Sequence, residues 1–560
     1  MEKIIVVVTI LGILGVILLI GAYMERQKEK NFRKRLNREF AKPMDRSFSN
    51  ERMKTARGYF AHHDANIYAV DDITWNDLGM DAFFQKYNHS YSSVGDEYLY
   101  YRLRVPFIRK EEADFDDLER LSDAFSKNSK LREDYQVLMA RLGRSGKYSL
   151  YTYLEFLGDV KQDIAVLTVL DWLVYIGFIA LMIVNFYPGL MLLIGWIIFN
   201  VILYLFRKKK IEPYFVSFEY ILRIIKTAGK TIKLLPDDFG KEKELLKSSK
   251  AKLNRISTGN LVFLQSDTSS AVGDLGNGIM NFIKMFFHID LFIFYRMKKQ
   301  VENNRDAVDA LFETLGKLDF AVNVASYRKT LPYYSVPEFT DERELTITEA
   351  VHPLLLKEGV ANSIDAKKGI LLTGSNASGK STFLRMVGIN ALLAQSFHTV
   401  YAKSYQAGFF RIYSSMSLKD SLESKESYYM AEIRSIKRIL DALKSDTSYV
   451  LCFVDEVLRG TNTKERIAAG AEIMRSIEGQ NSLCFAATHD IELAHMLPPQ
   501  FENHHFEEEI LEDDIHFPYQ IKDGYATSRN AIALLRIMGY PSEIIDRATK
   551  CVEESEHGIQ

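Results

Sequence analysis

Cysteine is nearly absent: Cys452, Cys484 and Cys551 are the only three among 560 residues, and no metal-ligand spacing relates them. This argues against a disulfide framework and against a cysteine-based metal site. Cys452 and Cys484 fall in apolar runs that read as buried strands, so both are expected to be small buried thiols in a reducing, cytosolic compartment. An excess of one charge is also missing. The formal net charge of −2 leaves no whole-molecule polycation signature, although a local basic groove would vanish in such a sum. No internal repeat or low-complexity linker stands out. What remains is 47% hydrophobic and 26% charged, a composition of folded domains, in a chain with room for about three or four of them.

Long apolar runs, by contrast, are present. Ile4 to Tyr23 is an uncharged run of 20 residues, long enough to cross a bilayer as a helix. No small-residue cleavage site follows it, so an uncleaved anchor is expected. Arg26, Lys28, Lys30, Arg33, Lys34, Arg35 and Arg38 come next and set this flank in the cytoplasm. A second apolar stretch, Ile164 to Phe206, is interrupted by Asn185, Pro188 and Gly189 and ends at Arg207-Lys208-Lys209-Lys210. It reads as a hairpin of two crossings, Ile164–Val184 and Leu190–Phe206. Three transmembrane helices in all would make a multi-pass protein of the cell membrane with its soluble part on the cytoplasmic side. Asp171 lies within the hairpin and is expected to snorkel to the interface.

From about residue 345 short apolar strands alternate with amphipathic helices, the pattern of an α/β domain with a parallel sheet. Ile370–Thr373 reads as a buried strand, and Gly374-Ser375-Asn376-Ala377-Ser378-Gly379-Lys380-Ser381 follows at once. This is the full G-x-x-x-x-G-K-[ST] phosphate-binding loop of a P-loop NTPase. Its backbone N–H groups converge on phosphates, Lys380 supplies positive charge, and the Ser381 hydroxyl ligates Mg²⁺. Thr382 completes the nucleotide-binding run, and the helix that follows points its N-terminal dipole at the same anion. A second buried strand, Tyr449–Val454, ends in Asp455-Glu456. Asp455 is expected to hold the Mg²⁺ shell and Glu456 to activate the attacking water. A third strand, Ser482–Ala487, ends in Thr488-His489-Asp490, with His489 expected to sense the γ-phosphate. The expected cofactors are therefore ATP and Mg²⁺, with Lys380, Glu456 and His489 as the catalytic set.

Between these strands lies Ser424 to Glu432, in which Ser427 stands at a natural helix N-cap and Tyr429, Ile433, Ile436, Leu440 and Leu443 form one apolar face. Here the sequence resembles the DNA mismatch-repair MutS family. The resemblance rests on Thr373 to Thr382, on Ser427-Tyr428-Tyr429-Met430-Ala431-Glu432, and on Asp455-Glu456-Val457-Leu458-Arg459-Gly460-Thr461-Asn462-Thr463, similar to the family's D-E-x-x-R-G-T-x-T. Ala487-Thr488-His489, His352-Pro353 and Met538-Gly539-Tyr540-Pro541 extend it. It is strong over about 345–550 and fainter over Trp75–Arg144 and Asp306–Tyr327. It implies a homodimer through the ATPase domain, with Ser427 reaching the partner's nucleotide as a trans signature residue, and it implies DNA as a partner.

The departures limit that implication. No Phe-x-Glu, the wedge of mismatch-finding members, occurs before residue 75, and a hydrophobic hairpin stands where lever and clamp helices would project around DNA. Ser375, Ala377 and Ser378 replace the usual Pro, Met and Gly of the loop. An ABC-type transporter subunit would need an L-S-G-G-Q signature and more crossings. The resulting expectation is an anchor (1–24), a cytosolic helical core-like segment (25–163), a membrane hairpin (164–206), a helical lever or connector (207–344), a MutS-like P-loop ATPase domain with a C-terminal helical element (345–550) and a tail (551–560). A membrane-associated mechanochemical ATPase or assembly factor acting on lipid or protein without DNA is the alternative to one acting on DNA.

Overall fold

A computed structural model describes residues 2–62, 67–158, 164–257, 285–375, 378–416, 428–444, 448–458, 461–479, 481–497, 499–510, 515–526 and 531–557. The chain divides into two units. The first holds Met1–His63, Asn88–Tyr101 and Arg120–Ser326, and the second holds Asp64–Tyr87, Arg102–Glu119 and Tyr327–Gln560. The segments expected to follow one another along the chain are thus interleaved, with residues 64–87 and 102–119 grouped with the C-terminal part.

Among its described residues the first unit is helical. Its centre is aromatic: Tyr59 stacks on Phe312 at 4.8 Å and meets Tyr101 and Tyr151 at 4.9 and 5.0 Å. The Tyr59 hydroxyl donates to Glu313 at 2.5 Å, and that of Tyr135 donates to the Leu315 carbonyl at 2.6 Å. Asn88 and Arg52 satisfy the buried Asp96 carboxylate, Arg52 through two hydrogen bonds of 2.9 Å. Pairing of this kind is what permits a buried charge.

The hairpin is formed by helices Ile164–Val184 and Phe186–Leu234. Asn185 alone breaks the chain between them, with φ −141°. Pro188 lies in the first turn of the second helix, where its missing N–H costs nothing. Gly189 allows close packing, since a Cβ there would come within 2.4 Å of the Met182 backbone. One expectation needs correction. Among the described residues one stretch, Phe186–Lys209, is long and apolar enough to cross a membrane, and Val169–Val184 is shorter; three spans are not supported. Ile4–Tyr23 opens the 38-residue helix Glu2–Glu39. The helix that opens at Phe186 runs on through Arg207–Lys210 to Leu234, 49 residues in all, because Lys and Arg are good helix formers. Pro213 inside it removes one backbone donor. Asp171 Oδ2 lies 3.8 Å from Nη1 of Arg207, at the basic flank of the hairpin, and 3.7 Å from His288 Nδ1.

The second unit contains β1 (Glu338–Phe339), β2 (Leu345–Ala350), β3 (Asn362–Ala366), β4 (Gly369–Thr373), β5 (Ser404–Ala407), β6 (Phe410–Ser415), β7 (Tyr449–Asp455), β8 (Ser482–Ala487), β9 (Phe501–His505), β10 (Glu509–Ile510), β11 (Ile515–His516) and β12 (Lys522–Asp523). The main sheet runs in the order β12-β9-β4-β8-β7-β6. Five strands are parallel, and β12 joins the edge antiparallel to β9. A second sheet, β1-β5-β2-β3, pairs β1 with β5 in parallel and is otherwise antiparallel. The expected parallel sheet is therefore part of a mixed α/β arrangement. Strands β4 and β8 are buried throughout, as continuous apolar strands covered on both faces must be. Cys452 and Cys484 face each other in register on β7 and β8, buried and free, while Cys551 is exposed.

Helix Asp72–Asp77 packs on β6. Its Asp77 carboxylate accepts from Ser414 Oγ at 2.7 Å and from the Met416 N–H at 2.9 Å, while the Asp77 carbonyl accepts from Arg385 Nε. Helix Met80–Tyr87 holds the His352–Leu354 turn: the Tyr87 hydroxyl donates to the Pro353 carbonyl and Lys86 to that of Leu354, both at 2.7 Å.

Candidate nucleotide site

The register Leu372 to Ala487 to Asp455 aligns the C-terminal ends of β4, β8 and β7. Three segments far apart in sequence therefore meet at one edge of the sheet, the usual place for a ligand in an open α/β fold. Gly374 leaves β4 at φ +136°, and a Cβ on it would lie 2.4 Å from the Phe506 carbonyl oxygen. Gly379 has φ +109°. Only glycine meets both demands at no cost. Ser378 Oγ donates to the Ser375 carbonyl at 2.8 Å, closing the loop on itself, and Ser375 Oγ donates at 3.0 Å to Glu508, which follows β9. Asn376 and Ala377 lie outside the described residues, as does Ser427.

Helix Lys380–Phe397 starts directly from the loop. The Lys380 ammonium donates to the carbonyls of Gly374 and Ser375, each at 2.7 Å. Ser381 Oγ donates to Asp455 Oδ2 at 2.5 Å, and Thr382 lines the adjoining cavity. A hydroxyl and a carboxylate in contact beside a phosphate-type loop are the oxygen donors that suit Mg²⁺, which takes few protein ligands.

Glu456 follows Asp455 at φ +56°, and Leu458 has φ +59°. Left-handed backbone at a non-glycine residue costs about 1–3 kcal/mol and persists only when its surroundings hold it. The holding contacts are visible. The Glu456 N–H donates to the Ala487 carbonyl at 2.9 Å, and the Leu458 N–H donates to the buried Glu432 carboxylate at 2.5 Å. Glu432 belongs to helix Tyr428–Ala442, so the element that follows Ser427 in sequence grips the loop carrying Glu456. His489 Nε2 meets the Glu456 carboxylate, while Nδ1 lies 3.0 Å from the Gly374 carbonyl and 3.5 Å from Lys380 Nζ. Each ring nitrogen faces an oxygen acceptor. His489 thus bridges the loop and Glu456.

Beside the loop lies a cavity of about 400 Å³, walled by Gly379–Phe383 and by His352, Asn362, Phe506 and Tyr519. Burial pushes the His352 imidazole down to about 4, with the charges of Arg385 and Lys86 acting in the same direction. Asn362 holds the Tyr519 turn from both sides, donating to the Tyr519 carbonyl at 3.0 Å and accepting from the Ile521 N–H at 2.8 Å. Sequence reasoning missed Asn362, Phe506 and Tyr519. No motif marks them, and Tyr519, at φ +54°, carries only the weak signal of an aromatic residue in a loop.

Residues 370–556 match the family model described as MutS domain V. This C-terminal part of the chain is similar to the MutS family. A curated relative, the DNA mismatch repair protein MutS of Thermotoga maritima, is 30% identical over 272 residues, which make up 47% of this chain and 34% of that protein. The chain thus spans about a third of the length of the curated relative it matches. The MutS-type domain holds every strand end that forms the loop site; His352 and Asn362 precede the matched residues.

Proposed function

We propose that this chain is a Mg²⁺-dependent ATPase whose MutS-type domain pairs with a second copy and couples ATP turnover to DNA, from a position at the cytoplasmic face of a membrane. The observation that carries the ATPase reading is the contact of Ser381 with Asp455 next to Glu456 and His489. In this reading Lys380 and the loop N–H groups receive the β- and γ-phosphates, and the dipole of helix Lys380–Phe397 favours the same charge. Ser381 and Asp455 would hold Mg²⁺, which neutralises phosphate charge when bound. Glu456 takes the proton of the attacking water, and His489 fixes the carboxylate in place. Ser427 is proposed to complete the partner's site, and DNA comes from the name of the Thermotoga relative.

Membrane attachment rests on Phe186–Lys209, mean hydropathy 2.3 and largely exposed, with Met191 and Phe206 facing outward at 75% and 70%. One observation favours the second reading, a mechanical task on lipid or protein. The apolar part of helix Phe186–Leu234 continues into a part whose Phe218, Tyr220, Ile224 and Ile225 are buried in the first unit. A single helix thus links the membrane-like surface to a packed core. The test is the ATPase rate of detergent-purified protein with duplex, mismatched or branched DNA, and separately with anionic liposomes. Stimulation by DNA that fades with salt supports the first reading. Stimulation by liposomes with no response to DNA overturns it in favour of the second.

A further inference from the structure

Glu456 is held by His489, and His489 sits on an exposed turn between β8 and helix Ile491–Met496, its own side chain about a third exposed (34%). A bridge on a loose turn would position nothing. The next residue supplies the anchor: Asp490 takes a two-pronged contact from Arg466, Nε to Oδ2 at 2.9 Å and Nη2 to Oδ1 at 2.8 Å. The Asp490 N–H also donates to Thr488 Oγ1 at 3.0 Å. Arg466 stands in the first turn of helix Thr463–Ile477, and its N–H donates to the Asn462 carbonyl at 2.8 Å. That helix is the one into which the strained Asp455–Leu458 segment leads. The pair therefore ties the start of the helix that follows Glu456 in sequence to the turn that carries His489.

A second cavity, about 270 Å³, lies between them, walled by Glu456, Val457, Arg466, Thr488, His489 and Asp490. It has room for a few water molecules, at roughly 30 Å³ each, and polar walls to bind them. The Arg466 guanidinium feels the Asp490 carboxylate first, and the negative charge of Glu456, on the wall of this space, acts in the same direction. An exposed ion pair ordinarily contributes little, but a forked Arg–carboxylate contact has fixed geometry as well as charge.

We propose that Arg466, locked onto Asp490, is a positioning residue for hydrolysis: it fixes the turn that sets His489 on Glu456, and it closes the chamber from which the attacking water is drawn. This rests on the ATPase reading of the site and adds residues outside the motifs that suggested it.

The test uses the full chain in detergent and measures kcat, KM for ATP, binding of a fluorescent ATP analogue, and thermal melting. Arg466→Met should lower kcat by about 10-fold or more, as for a small misplacement of reacting groups. Its KM, analogue affinity and melting temperature should stay near wild type. Asp490→Asn should behave alike, and Arg466→Lys, which loses the fork, should recover only part of the rate. The exchange Arg466→Asp with Asp490→Arg should restore more activity than either single change. If Glu456→Gln abolishes hydrolysis while Arg466→Met turns over like wild type, the positioning role is overturned and the ATPase reading stands. If the rate falls only in step with melting temperature, the pair is structural and the proposal also fails. If wild-type protein does not hydrolyse ATP, both readings fall together.

Discussion

The two units keep their chemistry in different places. In the second, the polar groups that matter sit at the ends of buried apolar strands, each within a few residues of the strand that aims it: Gly374 to Ser381 after β4, Asp455 and Glu456 at the end of β7, His489 after β8. In the first, they lie inside helical packing and join residues far apart in sequence. Tyr59 reaches Glu313, Ser90 reaches Asp319, and the His89 N–H donates to Asn323 at 2.6 Å. A strand end is a local feature that a short motif can encode, whereas a helical interior is encoded only by the set of its long-range partners. The second unit thus presents its polar groups at one sheet edge, and the first encloses them within its helical packing.

The largest way to sharpen this contrast is a cut into the first unit's centre. Tyr59 is 1% exposed and makes both ring and hydroxyl contacts. Tyr59→Ala should destabilise that unit by about 3–5 kcal/mol, the usual cost of removing a buried aromatic ring. Calorimetry should show the loss, and binding of a fluorescent ATP analogue should survive it. Loss of analogue binding at temperatures where the second unit is still folded would break the contrast.

A smaller effect is expected at the site itself. Gly374→Ala places a Cβ against the Phe506 carbonyl at a φ that other residues rarely adopt. About 1–3 kcal/mol of destabilisation should follow. Unlike Tyr59→Ala, it should also abolish analogue binding, because the loop can no longer curl. Unchanged analogue affinity in a folded Gly374→Ala protein would contradict the cradle assigned to this loop.

The third effect is a pH dependence, which vanishes at neutral pH. His352 has its pKa depressed to about 4 by burial, below the ordinary histidine range of about 6.5. The unfolded chain therefore binds a proton that the folded site refuses. The contribution of His352 to stability is fully present above about pH 6.5 and is lost as pH falls toward 4. Melting curves of wild type and His352→Gln should run parallel above neutrality and converge on acidification. Curves parallel down to pH 5 would show that His352 is not held neutral by burial.

These contrasts also explain what the sequence disclosed. The three strands and the residues at their tips were legible because runs such as Tyr449–Val454 are apolar without interruption and end abruptly in charge. The phosphate-type loop was legible because its glycines answer a backbone demand. Tyr519 and Asn362 were not, since each joins the 400 Å³ cavity through a loop paired across 157 residues. The Arg466–Asp490 fork spans 24 residues and looks in sequence like ordinary surface charge. The hairpin was legible as two apolar runs, but the run Arg207–Lys210 marks a change of surroundings rather than an end of helix, so the continuation to Leu234 was hidden. Residues 64–87 carry no mark of their grouping with the second unit. Only contacts such as Asp77 with Ser414 and Met416 reveal it.

The most direct test of the central claim is the Glu456→Gln protein, compared with wild type for ATP binding and for turnover. Removal of a general base at this position should leave binding intact and slow hydrolysis by roughly 10²-fold or more. Turnover equal to wild type in a folded, ATP-binding Glu456→Gln protein would contradict the assignment of this strand-end cluster as a hydrolytic site.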